Sequence, residues 1–181
     1  MKKILTVIDV QNDFITGSLE NAEAQKKVPA IAQKVKGFSG DAIFVTLDSH
    51  SEDYLSTKEG ERLPVLHCIP GTQGWKIPEE VQVALDGKEC PVFYIKKPAF
   101  GAPELAMEIE DFLKGDSCTI EMVGFISSIC LISNALILKS WLYNTADISI
   151  DAACTAGLNP ENNASALEVA SSCHIDILNN D

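Results

Sequence analysis

Ile4-Leu5-Thr6-Val7-Ile8, closed by Asp9, is apolar or β-branched at every successive position rather than at alternate ones. A strand with that pattern needs cover on both faces, as strands in parallel sheets have; a half-exposed antiparallel strand would alternate apolar with polar residues. Ala42-Ile43-Phe44-Val45 repeats the pattern. Working outward, short apolar runs alternate with longer amphipathic ones. Lys3 to Val10 precedes Ala22 to Phe38, Ala42 to Leu47 precedes Pro78 to Leu85, and Pro91 to Ile95 precedes Pro103 to Leu113. Thr119 to Gly124 then precedes Ser128 to Tyr143, Ile148 to Ala153 precedes Glu161 to Ser172, and Ile175 to Leu178 comes last. This alternation predicts an α/β fold: three α-β-α layers around a mainly parallel six-stranded sheet.

The 181 residues, 46% of them hydrophobic, suit a single domain spanning 1–181 with a full-sized core. A net charge of -12 repels phosphate backbones and anionic lipid, so neither nucleic acid nor a membrane surface is an expected partner. Met1-Lys2-Lys3 and the apolar run behind it superficially resemble a signal peptide, but Asp9, Asn12 and Asp13 interrupt the run too early. Six cysteines without a CxxC pair fit reduced thiols, and a cytoplasmic location is expected.

In an open parallel sheet, ligands bind beyond the carboxyl ends of the strands. The polar residues expected there are Asp9 after the first strand, Asp48 and His50 after the second, Lys96-Lys97 after the third, and the turn from Gly124 to Cys130 after the fourth. Cys130 opens an apolar helical stretch, with Ser127 or Ser128 expected as its N-cap. A helix start and a neighbouring ammonium can both lower a thiol pKa and favour the nucleophilic thiolate, and a carboxylate can carry the proton. Each residue also has a plainer reading: Cys130 as core filler, Asp9 as a turn residue, a lysine snorkelling to water. Their convergence on adjacent strand ends favours the chemical one.

Between Leu47 and Pro78 lie about thirty residues with no clear periodicity, too long for an ordinary connection in a compact domain. Asp48, His50 and His67 offer one carboxylate and two imidazoles, a ligand set that leaves positions open on a metal, and Glu59 could add an oxygen. A histidine pair without metal is the alternative.

These residues resemble the nicotinamidase branch of the isochorismatase-like cysteine hydrolases over nearly the whole chain. The resemblance rests on Val7-Ile8-Asp9-Val10-Gln11-Asn12-Asp13-Phe14, Thr46-Leu47-Asp48-Ser49-His50, His67-Cys68-Ile69-Pro70-Gly71-Thr72, Lys97-Pro98-Ala99-Phe100-Gly101 and Gly124-Phe125-Ile126-Ser127-Ser128-Ile129-Cys130. It implies a strand order 3-2-1-4-5-6, Asp9, Lys97 and Cys130 as catalytic triad, and Phe14 as a pocket wall. It further implies an oxyanion hole from the backbone N–H groups of Ile126 and Cys130, beside a cis peptide that precedes Ile126. The implied metal is divalent, zinc first and iron or manganese as alternatives, held by Asp48, His50 and His67 with Glu59 in place of a further histidine. A small amide, nicotinamide foremost, is the implied substrate, with a role in NAD salvage, and a homo-oligomer is expected.

Departures from the family pattern are specific. Ser127-Ser128 stand where Thr-Asp is common, Ser51-Glu52-Asp53-Tyr54 lacks the extra histidine, and Leu63-Pro64 occupy the stretch of a pocket tryptophan that Trp75 would have to replace. Lys96 is the alternative to Lys97 if the third strand is shifted by one residue. Two other readings are another small amide or ureido substrate and a non-catalytic binding member of the fold. A flavodoxin-like or Rossmann nucleotide domain would need a glycine-rich turn after the first strand, and Asp9 to Phe14 contains no glycine.

Overall fold

The computed structural model of the chain describes residues 1–180. Six strands, β1 (Lys2–Ile8), β2 (Ala42–Asp48), β3 (Val92–Lys97), β4 (Cys118–Phe125), β5 (Ala146–Ala156) and β6 (Asp176–Leu178), form one sheet in the order β3-β2-β1-β4-β5-β6. Every pairing is parallel. The sheet reverses direction between β1 and β4, where ligands of such sheets bind.

Successive residues of β1 serve opposite faces, as the two-residue period of a strand requires. Ile4 and Ile8 pack with Phe44, Ile120, Leu105 and Leu138 on the side of α3 (Pro103–Leu113) and α4 (Ile132–Trp141). Leu5 and Val7 pack with Ile43, Val45, Ile31 and Val81 on the side of α1 (Ala22–Gly37) and α2 (Glu79–Asp86). The uninterrupted apolar runs are therefore two half-cores interleaved in sequence. The last helix, α5 (Pro160–Ser172), joins the α3–α4 side through Leu167 and Ala170.

Two expectations need correction. Helix α4 does not begin at Ser128: a π-helical turn, Ser127–Leu131, precedes it, and the N–H of Leu131 donates to the carbonyl of Ile126 at 3.2 Å. Neither Ser127 nor Ser128 caps that turn; Ile126 holds the cap position, and Ser128 instead donates to Asn162 Oδ1 at 2.6 Å. Strand β5 is also longer than the Ile148 to Ala153 run, because its register against β4 jumps between the pairs Met122–Ile150 and Gly124–Thr155. Polar residues hold that irregularity: the Ala153 N–H donates to Asp151 Oδ1 at 2.9 Å and Thr155 Oγ1 donates to the Asp151 carbonyl at 2.8 Å.

Asp151 ties β5 to α1. Its Oδ2 lies 2.7 Å from Lys34 Nζ, which also reaches Glu121 Oε1 at 2.5 Å, and Asn179 donates to its Oδ1 at 3.0 Å. Burial alone would push the Asp151 carboxyl up, but Lys34 and Asn179 outweigh it and hold the group below its ordinary 3.8. A depressed carboxylate stabilises the fold above its unfolded pKa, and that stabilisation is lost as pH falls through the folded value. Lys34→Met should therefore cost about 2 kcal/mol at pH 7, by leaving a buried carboxylate without its cation. Urea unfolding at several pH values checks this: the gap between wild type and variant should narrow as pH falls through the depressed folded-state pKa of the wild-type carboxylate, below 3.8.

Candidate active site

The carboxyl ends of β1, β2, β3 and β4 deliver the site. Asp9 follows β1 in a left-handed conformation (φ 48°), held by its N–H, which donates to Thr46 Oγ1 at 3.1 Å and to the Thr46 carbonyl at 3.2 Å. Opposite, Gly124 has φ 118° and lies so close to the Ile8 backbone that a Cβ would collide with it. Glycine is thus what lets β1 and β4 close up where Asp9 and the Cys130 turn must meet. The peptide between Phe125 and Ile126 is cis.

Asp9, Lys97 and Cys130 come together at this point. Lys97 Nζ lies 2.6 Å from Asp9 Oδ2, 3.2 Å from Asp48 Oδ1 and 3.5 Å from Cys130 Sγ, and donates to the Ala99 carbonyl at 2.9 Å. Thr46 Oγ1 donates to Asp9 Oδ1 at 2.6 Å, while Asp9 Oδ2 faces the ammonium. Asp9 and Lys97 are fully buried. Lys96 points the other way, exposed, with its ammonium 5.2 Å from the Trp75 ring.

The electrostatics differ from the expected lowering of the thiol pKa. Burial raises the Cys130 thiol, the Asp9 carboxylate raises it further, and Lys97 only partly opposes them, so the resting group is a protonated thiol. Burial likewise raises Asp9 above its ordinary 3.8, with Lys97 pulling the other way, which makes Asp9 a better proton acceptor than a solvated carboxylate. Burial disfavours the Lys97 charge, but the Asp9 carboxylate, with Asp48 beside it, more than restores it and keeps the ammonium protonated.

A second cluster shares the Asp48 carboxylate. Its Oδ2 lies 2.9 Å from His50 Nε2 and 3.5 Å from His67 Nε2, and the three ligand atoms fall within 4.8 Å of one another. His67 Nδ1 donates to the Val65 carbonyl at 2.8 Å, which fixes the ring with Nε2 turned toward Asp48. Glu59 Oε1 is 3.8 Å from His50 Nε2, and burial pushes its carboxyl up. The donor set fits a divalent transition metal. The Tyr54 ring packs 4.5 Å from His50 and 4.9 Å from His67 by centroids, and Phe14 packs edge-on to His67 at 5.8 Å.

A cleft of about 840 Å³ opens above both clusters, and Cys130, Ile126, Phe14, Leu63, Glu59 and His67 are among its walls. Trp75 is not: it sits in a separate depression with Lys96, its indole N–H donating to Ser49 Oγ at 2.8 Å. Leu63 takes the wall instead.

Four positioning residues carried no role in the sequence reading. Gln11 clamps Asp48 through both backbone groups, accepting its N–H at 2.8 Å and donating to its carbonyl at 3.0 Å. Asp13 accepts the Cys68 N–H at 2.7 Å beside His67. Thr46 orients Asp9. Asn134, fully buried, donates to the Cys130 carbonyl at 2.8 Å and accepts the Ala102 N–H at 2.9 Å, fastening the Cys130 turn to the Lys97 loop. The detectable signal for Asn134 was an amide four positions after Cys130 in a mostly apolar stretch, on the same helix face.

A family model described as the isochorismatase domain matches residues 3–180. Among solved structures, the pyrazinamidase/nicotinamidase of Streptococcus mutans UA159 is 26% identical and superposes with a TM-score of 0.79, over 97% of this chain and 99% of that one. The nicotinamidase/pyrazinamidase of Bacillus subtilis is 23% identical, with a TM-score of 0.82 over 98% and 100% of the two chains. The pyrazinamidase of Pyrococcus horikoshii, in complex with zinc, is 23% identical, with a TM-score of 0.71 over 98% and 99%. A search of curated protein sequences finds no match.

The geometry separates the two adjacent lysines in a testable way. Removing the Lys97 ammonium takes away a positive charge beside the thiol, so Lys97→Met should shift the iodoacetamide alkylation profile of Cys130 to higher pH and slow the reaction about tenfold or more at pH 8. Lys96→Met should leave the profile in place. A larger effect from Lys96→Met would overturn the arrangement.

Proposed function

The chain belongs to the isochorismatase family, and from that premise we propose that it is a cysteine amidohydrolase whose best candidate substrate is nicotinamide. The observation that carries the reading is the triad: a buried carboxylate and thiol on either side of one ammonium, 2.6 Å from Asp9 Oδ2 and 3.5 Å from Cys130 Sγ, at the floor of an open cleft.

The reaction follows from these groups. Asp9 takes the thiol proton while Lys97 stays charged and steadies the thiolate as it forms. The sulfur attacks the carboxamide carbon, and the carbonyl electron pair moves to oxygen, where the backbone N–H groups of Ile126 and Cys130 receive it. Collapse of this tetrahedral species breaks the C–N bond, and the proton held by Asp9 goes to the departing ammonia, leaving a thioester. Asp9 then removes a proton from water as its oxygen attacks the thioester, and the second collapse releases the carboxylic acid and returns the proton to sulfur. An Asp9 carboxyl raised by burial is suited to both directions of transfer.

Asp48, His50 and His67, with Glu59, would hold a divalent metal, zinc foremost. Bound there, it would supply Lewis-acid attraction for a substrate heteroatom such as a ring nitrogen. Phe14 and Ile126, both largely buried, with half-exposed Phe100 and exposed Leu158, give the cleft apolar surfaces suited to an aromatic ring. A ureido compound is the second reading of the same triad, since its carbonyl can be attacked in the same way. NAD salvage and a cytoplasmic setting follow if nicotinamide is the substrate.

Purified protein should release ammonia and nicotinate from nicotinamide. Cys130→Ala should lower kcat by at least about 10³-fold while the circular dichroism spectrum and Tm stay near wild type, because only a small side chain is lost. Near-normal turnover by Cys130→Ala would rule out the mechanism. Elemental analysis should find about one transition metal per chain, and the double variant His50→Ala/His67→Ala should lose it.

A further inference from the structure

One amide on α4 joins pieces of main chain that the apolar core does not hold. Pro98, Ala99 and Phe100, just past Lys97, are all exposed, so packing contributes little to their placement. Asn134 is fully buried, and its amide makes three bonds, each to main chain: Nδ2 donates to the carbonyls of Cys130 at 2.8 Å and Phe100 at 3.1 Å, and Oδ1 accepts the Ala102 N–H at 2.9 Å. This pattern fixes the orientation of the amide, because the flipped group would turn its oxygen toward two carbonyls and its N–H groups toward a donor. Gly101, between the bonded residues, lies so close to α4 that a Cβ would collide with the Ile137 side chain.

These bonds close a ring around the thiol. From Cys130 Sγ it runs 3.5 Å to Lys97 Nζ, a further 2.9 Å to the Ala99 carbonyl, along the main chain to the Phe100 carbonyl, and back through Asn134 to the Cys130 carbonyl. The two sides of the ring are held differently. Lys97 is anchored by Asp9 at 2.6 Å and Asp48 at 3.2 Å, whereas the Cys130 turn has no side-chain cap, and the bonds from Asn134 tie it to the loop after Lys97. We propose that Asn134 sets the spacing between the Cys130 thiol and the Lys97 ammonium, as a positioning residue that acts through Lys97. Asn134 carries no charge, so its effect is one of distance. The attraction between unit charges falls with the inverse of their separation, and a retreat of about 1.5 Å from 3.5 Å would weaken that of the ammonium for a thiolate by about a third. Asp9 and Asp48 act on the thiol in the opposite sense, each disfavouring its ionisation, so the Lys97 contribution is the one that the spacing protects. The role of this spacing in turnover rests on the amidohydrolase reading; the spacing itself is tested without an amide.

Asn134→Thr is the informative variant. A threonine hydroxyl within a helix donates to the carbonyl four residues back, so it keeps a bond to Cys130, but the side chain is too short to reach Phe100 and Ala102. Iodoacetamide alkylation of Cys130, followed over pH by mass spectrometry of its peptide, reads the thiol separately from the other cysteines. Asn134→Thr should move this profile to higher pH, the direction expected of Lys97→Met, and slow the reaction at least about threefold at pH 8, while the circular dichroism spectrum stays that of wild type. Added to Lys97→Met, it should cause no further shift, because the charge whose distance it sets is already gone. A wild-type profile in Asn134→Thr would overturn the proposal. So would a shift of full size in the Lys97→Met background, which is what a general loosening of the turn would give. Should Lys97→Met not fold, the profile of the single variant decides. With nicotinamide, kcat of Asn134→Thr should fall in step with the alkylation rate. If wild type does not hydrolyse nicotinamide, the amidohydrolase reading fails on that amide, and the alkylation profile still upholds or overturns the spacing.

Discussion

An ammonium with no exposed surface is expensive to bury, and the carboxyl end of this sheet is arranged around one. Lys97 is fully buried, and what makes its charge tolerable is the simultaneous approach of Asp9 at 2.6 Å and Asp48 at 3.2 Å. The pairings that bring these groups together are set by strand register, Asp48 beside Lys97 across β2–β3 and Ile8 beside Thr46 across β1–β2. Removing either carboxylate would leave the ammonium short of charge, and removing the lysine would leave two carboxylates facing each other. The three strand ends are therefore interdependent in a way that the apolar core beneath them is not.

Asp48 makes the two halves of the site one electrostatic unit. One of its oxygens serves Lys97, the other the two histidines. Burial would raise its carboxyl, but His50, His67 and Lys97 together hold it well below the ordinary carboxylate range, so it stays ionised. Asp9, with only Lys97 and Thr46 to stabilise its charge, moves the opposite way. Two carboxylates a few ångströms from one ammonium thus take different roles: Asp48 is a fixed anion, and Asp9 is the one able to gain and lose a proton.

Much of this was legible because buried parallel strands leave a strong mark. Ile4 to Ile8 and Ala42 to Val45 could be read as two-faced strands from composition alone, and a carboxylate, an amine and a thiol at three strand ends are conspicuous against such runs. What escaped were features set by long-range polar contacts. The π-helical turn at Ser127–Leu131 has the same apolar composition as the helix that follows it, so nothing local distinguishes an i−5 from an i−4 hydrogen bond. The extra residues of β5 depend on Asp151, whose partners Lys34 and Asn179 are far away in sequence. Trp75 is the converse case: an aromatic residue in a long loop invites assignment to the pocket, but its indole N–H donates to Ser49 instead.

The segment between β2 and α2 shows why absence of periodicity is not absence of order. Its only regular element is the short 3-10 turn Tyr54–Ser56, and no apolar stripe could have revealed its path. It is held by the first motif of the chain: Asn12 and Asp13 donate their backbone N–H groups to the carbonyls of Lys76 and Gly74, Asp13 Oδ2 accepts the Cys68 N–H, and Gln11 Nε2 donates to the carbonyls of Asp48 and Trp75. Gly74 is needed there, because a Cβ at that position would occupy the place of the Asp13 carboxylate. The stretch from Asp9 to Phe14 thus has a second task beyond placing Asp9 beside Lys97. Its backbone and amide groups position the loop that brings His67 to Asp48, which places the candidate metal ligands in register with the candidate nucleophile through bonds to main-chain atoms. Such bonds constrain the path of the loop while leaving most of its side chains free to vary.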